Sequence, residues 1–471
     1  MTTSGERIAP KPWLLYAGYV LMLALTIGAF FVIRHFGESL IGGVVAAPAA
    51  PSGSPAQPPA FSLFHLLLAL AAVIAAGRSL GVVFRWIGQP PVIAEVIAGI
   101  LLGPSLLGAI APEAKDYLLP DSVAPSLQVI AQLGVILYMF VVGLELDLGL
   151  LHERGHSTVA ISHASIVVPF LLGALLALAM YPALSLRDVS FTIFALFLGV
   201  AMSVTAFPVL ARILTDRKMT RTKLGVIAIT CAAVDDASAW CLLAFVVGVA
   251  KADVGGAVLV AVLTIGYIAL MFLLVRPLVH AWCKWLGDKT PSPEVLAIIF
   301  VAVLTSALIT ELIGIHAIFG AFLVGAIFPH DSAIARDITK KLENLVTVLL
   351  LPAFFAYTGM RTQMGLISGW ENWLWCLAII AVATLGKFGG TLFAARFTGM
   401  SWRESSSLGI LMNTRGLMEL IVLNIGLDLG ILSPAIFAMM VIMAIVTTMA
   451  TTPVLQLIQP RWSDPERAAA A

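Results

Sequence analysis

Fourteen apolar runs, most about 20 residues long, dominate this chain of 471 residues: 12–33, 62–84, 91–110, 125–146, 157–181, 190–214, 222–250, 257–284, 293–311, 315–329, 343–360, 370–395, 404–427 and 432–457. Roughly 20 apolar residues in a helix cross the ~30 Å hydrocarbon core of a bilayer. Strands of a membrane barrel are shorter and alternate apolar with polar residues. These runs do not alternate, so the spacing predicts an all-α polytopic membrane protein. Hydrophobic residues make up 60% and charged residues 11%, against about 25% charged in soluble domains. A soluble enzyme and a disordered chain are both excluded. A formal net charge of +1 supplies no basic field for nucleic acid.

Loop charges orient the runs. With the N-terminus in the cytoplasm, 20 of the 27 Lys and Arg fall in cytoplasmic loops. Five face outward (Arg34, Lys115, Arg187, Lys251 and Arg361), and Lys387 and Arg415 lie inside spans. That split follows the positive-inside rule and predicts both termini in the cytoplasm. Residues 1–43 read as an extra N-terminal helix, retained rather than cleaved as a signal. Residues 44–61 read as an Ala/Pro-rich linker, 62–458 as the main membrane domain and 459–471 as a short cytoplasmic tail. No Gly-x-x-x-x-Gly-Lys-Ser/Thr loop occurs, so ATP-driven pumping is unsupported. Cys231, Cys241, Cys283 and Cys376 lie inside apolar runs without Cys-x-x-Cys spacing, which reads as reduced core packing.

Ionisable groups at bilayer depth are costly unless paired or hydrated, and so mark function. Asp235 and Asp236 lie about thirteen residues, or about 20 Å, into their span. Neighbours on a helix point about 100° apart. One carboxylate can therefore face a water-filled cavity while the other meets a buried cation. Lys387, far from either end of its span, needs such a carboxylate. Arg415 and Glu419 are four apart and share a helix face. Pro208, in Ser203-Val204-Thr205-Ala206-Phe207-Pro208, breaks a helix. Freed carbonyls at membrane depth are tolerated where they line a cavity, and Ser203 and Thr205 add oxygens for a hard cation. Glu145 and Asp147 read as a solvated helix end, and His316 as an interfacial histidine.

The segments QPPVIAEVIAGILLGPSLLG (89–108), SVTAFPVLARIL (203–214), AVDDASAWCLLA (233–244), GIHAIFGAFLVG (314–325), TGMRTQ (358–363) and NTRGLMELIVLNIG (413–426) occur in this order. Together they resemble the monovalent cation:proton antiporter superfamily, in its branch of bacterial Na⁺/H⁺ exchangers, Kef potassium efflux systems and plant cation/H⁺ exchangers. The resemblance covers residues 62–458. It implies an inverted-repeat fold of about thirteen core helices with two crossed discontinuous helices, working as a homodimer. Core helices would come from 157–250 and 370–457, and the remainder would form the dimer panel.

The resemblance further implies that Asp236 binds the ion and the proton, that Asp235 pairs with Lys387, and that Thr205 and Ser203 complete the cation site. Arg415 and Glu419 would compensate charge. The implied activity is exchange of H⁺ for Na⁺, or for Li⁺ or K⁺, with no cofactor and no catalytic residue; a K⁺/H⁺ antiporter of the same fold is the alternative. Two aspartates with Lys387 point to electrogenic exchange. The chain departs from the family in its 12–33 helix, in the placing of Glu419 two residues beyond the usual Arg-Gly-Glu, and in lacking the Kef nucleotide-binding tail. A channel would need a selectivity filter, and an intramembrane aspartyl protease would need acids on two helices. Neither pattern occurs.

Overall fold

A computed structural model describes residues 12–43, 63–145, 155–220, 222–251, 254–287 and 291–459. Among them are no strands. Twelve helices are long and apolar enough to cross a membrane. A further pair, Trp402–Met412 with Leu417–Asp428, passes the same test together but is bent by 45°. The shorter apolar helix Ala317–Ile327 completes the set, and each of the fourteen runs has its counterpart. The 44–61 linker, Asp147, and the tail from residue 460 lie outside the described residues.

Helices of ten residues or more are numbered in chain order. They are α1 Pro12–Gly37, α2 Leu63–Trp86, α3 Pro91–Leu102, α4 Ala124–Glu145, α5 Gly155–Leu184, α6 Phe191–Ser203, α7 Phe207–Asp216 and α8 Lys223–Lys251. Next come α9 Val254–Leu270 and α10 Arg276–Leu286, joined through a π turn. The rest are α11 Pro293–Ile313, α12 Ala317–Ile327, α13 Ala333–Leu345, α14 Leu351–Arg361, α15 Trp370–Phe397, α16 Trp402–Met412, α17 Leu417–Asp428 and α18 Pro434–Ile458.

The spans repeat. Six from α2 to α8 match six from α11 to α18, with α9–α10 as connector. The fifth span of each half is the broken one: α6/α7 in the first, α16/α17 in the second. Six spans plus one connector is an odd offset, so the second half enters the membrane from the opposite face. Packing obeys the same symmetry. The α3–α14 contact is mirrored by α12–α4, α2–α3 by α11–α12, α5–α6 by α15–α16, and α5–α8 by α15–α18. On the axis, α4 meets α14 and α5 meets α15.

Glycines hold the mirrored contacts together. Gly99, ninth in α3, lies against the backbone of Phe355 in α14. Gly325, ninth in α12, lies against the backbone of Phe140 in α4. A Cβ at either position would meet a carbonyl oxygen, and membrane helices approach this closely only through small residues.

Two helix groups follow. One contains α2–α4 and α11–α14; the other contains α5–α8 and α15–α18. The extra helix α1 packs on α5 and α6, and so belongs with the second group. Arg34 and Glu38 fix its end, Glu38 also accepting from Thr192 at 3.1 Å. Three cysteines are buried, as free thiols in packed helices should be, but Cys241 is exposed. The apolar run around it did not reveal that exposure.

Candidate functional site

Both broken helices break at the same place in space. Helix α6 stops at Ser203, and Val204 takes an extended conformation (φ −64°, ψ 137°). Helix α7 restarts at Phe207 with Pro208 in its first turn, where a missing N–H costs nothing. Opposite, α16 stops at Met412 and α17 restarts at Leu417. The Ala206 N–H donates to the Thr414 carbonyl at 3.0 Å, so the two extended stretches cross in contact. The Thr205 hydroxyl reaches the Met412 carbonyl at 3.3 Å. Thr448 of α18 fastens the second break: its hydroxyl accepts from the Arg415 N–H and donates to the Arg415 carbonyl.

The last carbonyls of a helix carry partial negative charge and no partner in their own helix. In α6 those carbonyls are met by two cations. The Arg415 guanidinium donates to Ala201 O at 3.1 Å and to Met202 O at 2.6 Å. Lys387 Nζ donates to Ser203 O at 2.5 Å. Arg415 also pairs with Glu419 at 2.8 Å, as the four-residue spacing predicts. Its contacts with the facing half-helix could not be read from that spacing.

Asp235 is fully supplied with partners. Its Oδ1 accepts from the Ser162 hydroxyl, and its Oδ2 from Ser165, from Thr205 at 2.9 Å and from Lys387 Nζ at 2.8 Å. Asp235 and Lys387 side chains are both 0% exposed. The structure thus brings Asp235, Lys387 and Thr205 together at the crossing.

Asp236, one residue on, is the opposite case. It is 2% exposed, and neither carboxylate oxygen has a hydrogen-bond partner. The Phe207 N–H, at the positive start of α7, faces it. Charge counting singles out the same residue. Lys387 offsets Asp235 and Arg415 offsets Glu419, leaving Asp236 as the acid without a basic partner in the cluster. A buried, unpaired charge is costly, so a bare carboxylate is disfavoured at this position. Asn413 Oδ1, at the end of α16, is a second buried oxygen at the crossing without a partner.

Ser203 contributes differently from the sequence expectation. Its hydroxyl donates to Gly199 O at 2.7 Å and Ile166 O at 3.1 Å. A helix-terminal serine bonds back to the preceding turn readily, so its carbonyl, not its hydroxyl, enters the cluster. Ser162 and Ser165 were missed. Three residues apart on α5, they share a face, but serines on an apolar helix carry no distinguishing charge. His316 serves as the N-cap of α12, and Glu145 is the last residue of α4. Among the described residues, no three His, Cys, Asp or Glu gather as they would around a transition metal.

A family model described as the transmembrane sodium/hydrogen exchanger matches residues 66–457. The chain belongs to that family. It is 43% identical over 402 residues to the Na(+)/H(+) antiporter NhaS4 of Synechocystis sp., covering 85% of this chain and 98% of that one. It is 37% identical over 406 residues to Cation/H(+) antiporter 19 of Arabidopsis thaliana, covering 84% of this chain and 50% of the plant protein. With K(+)/H(+) antiporter 1 of Saccharomyces cerevisiae the identity is 33% over 391 residues, covering 80% of this chain and 44% of the yeast one. The chain therefore spans about half the length of these plant and yeast relatives. Among solved structures, the sodium proton antiporter MjNhaP1 from Methanocaldococcus jannaschii superposes with a TM-score of 0.61 at 13% identity. That match covers 83% of this chain and 96% of that one, and shows the antiporter fold.

Proposed function

We propose that this exchanger-family protein trades protons for a monovalent cation, with Asp236 as the group that holds either one. The observation that carries this reading is the contrast between neighbours. Asp235 accepts from four side-chain donors; Asp236 accepts from no side chain and only faces the Phe207 N–H. When protonated, Asp236 is neutral and stable where it lies. When it gives up the proton it needs a cation, and oxygens of the crossing supply the further ligands a hard ion requires. Thr205 and the unpartnered Asn413 Oδ1 are available at the crossing. Proton and cation exclude each other from one carboxylate, which couples their fluxes.

The pair Asp235–Lys387 stays within the protein and balances its own charge. If Lys387 gives up a proton when the cation enters, two protons move per cation, and the cycle carries net charge. The second helix group, α5–α8 with α15–α18, carries the site across by rocking against the first. We assign the first group to the dimer panel of a homodimer in a bacterial inner membrane, on the family resemblance, and both termini to the cytoplasm, on the loop-charge split. Transport rather than bond chemistry is the activity.

Sodium is the preferred cation in this reading, supported by 43% identity to a protein named as a Na⁺/H⁺ antiporter. Potassium is the second reading, because a relative named for K⁺/H⁺ exchange aligns over 80% of the chain. Purified protein in liposomes, loaded with a pH dye and pulsed with Na⁺, Li⁺ or K⁺, separates the two. Sodium should dissipate the proton gradient at the lowest concentration, and an imposed voltage should change the rate. Exchange with K⁺ alone reverses the assignment, and no cation-driven proton movement removes the function.

A further inference from the structure

Thr358, Arg361 and Asn424 stand in two of the sequence motifs, yet the ion site uses none of them. The structure gathers them elsewhere. Arg361, the last residue of α14, pairs with Asp428, the last of α17, at 2.6 Å. It also donates to Asn424 Oδ1 at 3.2 Å, and lies 5.1 Å from the Tyr357 ring centre. Asn424 Nδ2 donates to Thr358 Oγ1 at 2.9 Å. Helix α14 belongs to the first group and α17 to the second, so every one of the inter-helix polar bonds joins the two bodies that must slide.

Tyr357, Asn424 and Asp428 themselves border a cleft between the groups, whose lining also includes Val135, Phe354 and Ile421. On the opposite face, Gln89 Nε2 donates to Met449 O at 3.0 Å, a neutral bond between the groups. Helix α17 links the two regions. Its first turn carries Glu419, paired to Arg415 at the crossing, and its last residue is Asp428. Twelve residues of rigid helix transmit any tilt from one to the other.

We propose that Arg361, Thr358, Asn424 and Asp428 form a clasp that fastens the two helix groups on one face, and that this clasp must open before the ion site can be reached from that face. It rests on the rocking reading given above. The pair is partly solvated, with side chains 21% and 37% exposed. Ion pairs so placed are weak individually, so the clasp can open and re-form within a transport cycle.

Ile421 is 2% exposed and lines the cleft, which makes it a reporter of opening. The probe is a bulky maleimide reacting with Ile421→Cys in a Cys241→Ala background, in nanodiscs where both faces meet reagent. Arg361→Gln should speed labelling roughly three- to five-fold, and Arg361→Asp with Asp428→Arg should restore the slow rate. A disulfide between Thr358→Cys and Asn424→Cys should stop exchange in liposomes until reductant is added. Unchanged labelling in Arg361→Gln, or continued exchange in the fully cross-linked protein, overturns the clasp. Labelling needs no transport assay, so a failure of the exchange reading is seen separately, as absent flux in the unmodified chain.

Discussion

Asp236→Asn should reduce cation-driven proton flux to the rate of empty liposomes. The substitution keeps the shape of the side chain and removes its ability to exchange a proton for a cation. It removes no side-chain bond, and the amide keeps an oxygen that can face the Phe207 N–H. The variant should therefore extract, purify and melt like the parent. This combination of intact fold and absent flux is what separates an ion site from a packing residue. Replacing Asp235 the same way should do something else. Four donors, from Ser162, Ser165, Thr205 and Lys387, lose their anion, and stability falls with activity. Normal flux in Asp236→Asn would falsify the assignment.

Lys387→Ala should destabilise the protein by about 3–5 kcal/mol, the usual cost of removing one partner from a buried ion pair. Asp235 would remain at 0% exposure without its cation, and the Ser203 carbonyl would lose its donor. Three hydroxyls still reach Asp235, so the loss belongs at the lower end of that range. Asp235→Asn combined with Lys387→Met should recover most of it, because neither charge is then buried alone. Thermal melting of the three variants in detergent checks the cycle. A melt unchanged in Lys387→Ala, or a double variant no better than the single, would show that the pair does not hold the crossing together.

Much of this was legible in the sequence, for physical reasons. Bilayer thickness fixes helix length, so thirteen of the fourteen apolar runs translate into helices, one of them a bent pair, long enough to cross, and the fourteenth into the shorter helix Ala317–Ile327. The cost of charge in hydrocarbon makes Asp235, Asp236, Lys387, Arg415 and Glu419 conspicuous, and all five are buried at or beside one crossing. Pro208 announces the first break by its chemistry. What the sequence hides is direction. Nothing in a serine on an apolar helix tells whether it bonds its own backbone, as Ser203 does, or a distant carboxylate, as Ser162 does. The i,i+4 spacing of Arg415 and Glu419 predicts their pair but not the guanidinium's grip on Ala201 and Met202, which depends on two helices 200 residues apart crossing end to end. The glycines at 99 and 325 read as ordinary small residues until the repeat shows them in equivalent places.

Competition between H⁺ and cation can be measured without any transport. Sodium is titrated calorimetrically into the purified protein at a series of pH values, in buffers of differing protonation enthalpy. A shared carboxylate requires at least one proton released per Na⁺ bound, two if Lys387 also gives one up, and an apparent Kd that rises at least about tenfold for each unit of pH decrease once the site is mostly protonated. Asp236→Asn should show neither effect. Sodium binding that releases no proton and keeps one affinity across the pH series would contradict a shared site at Asp236.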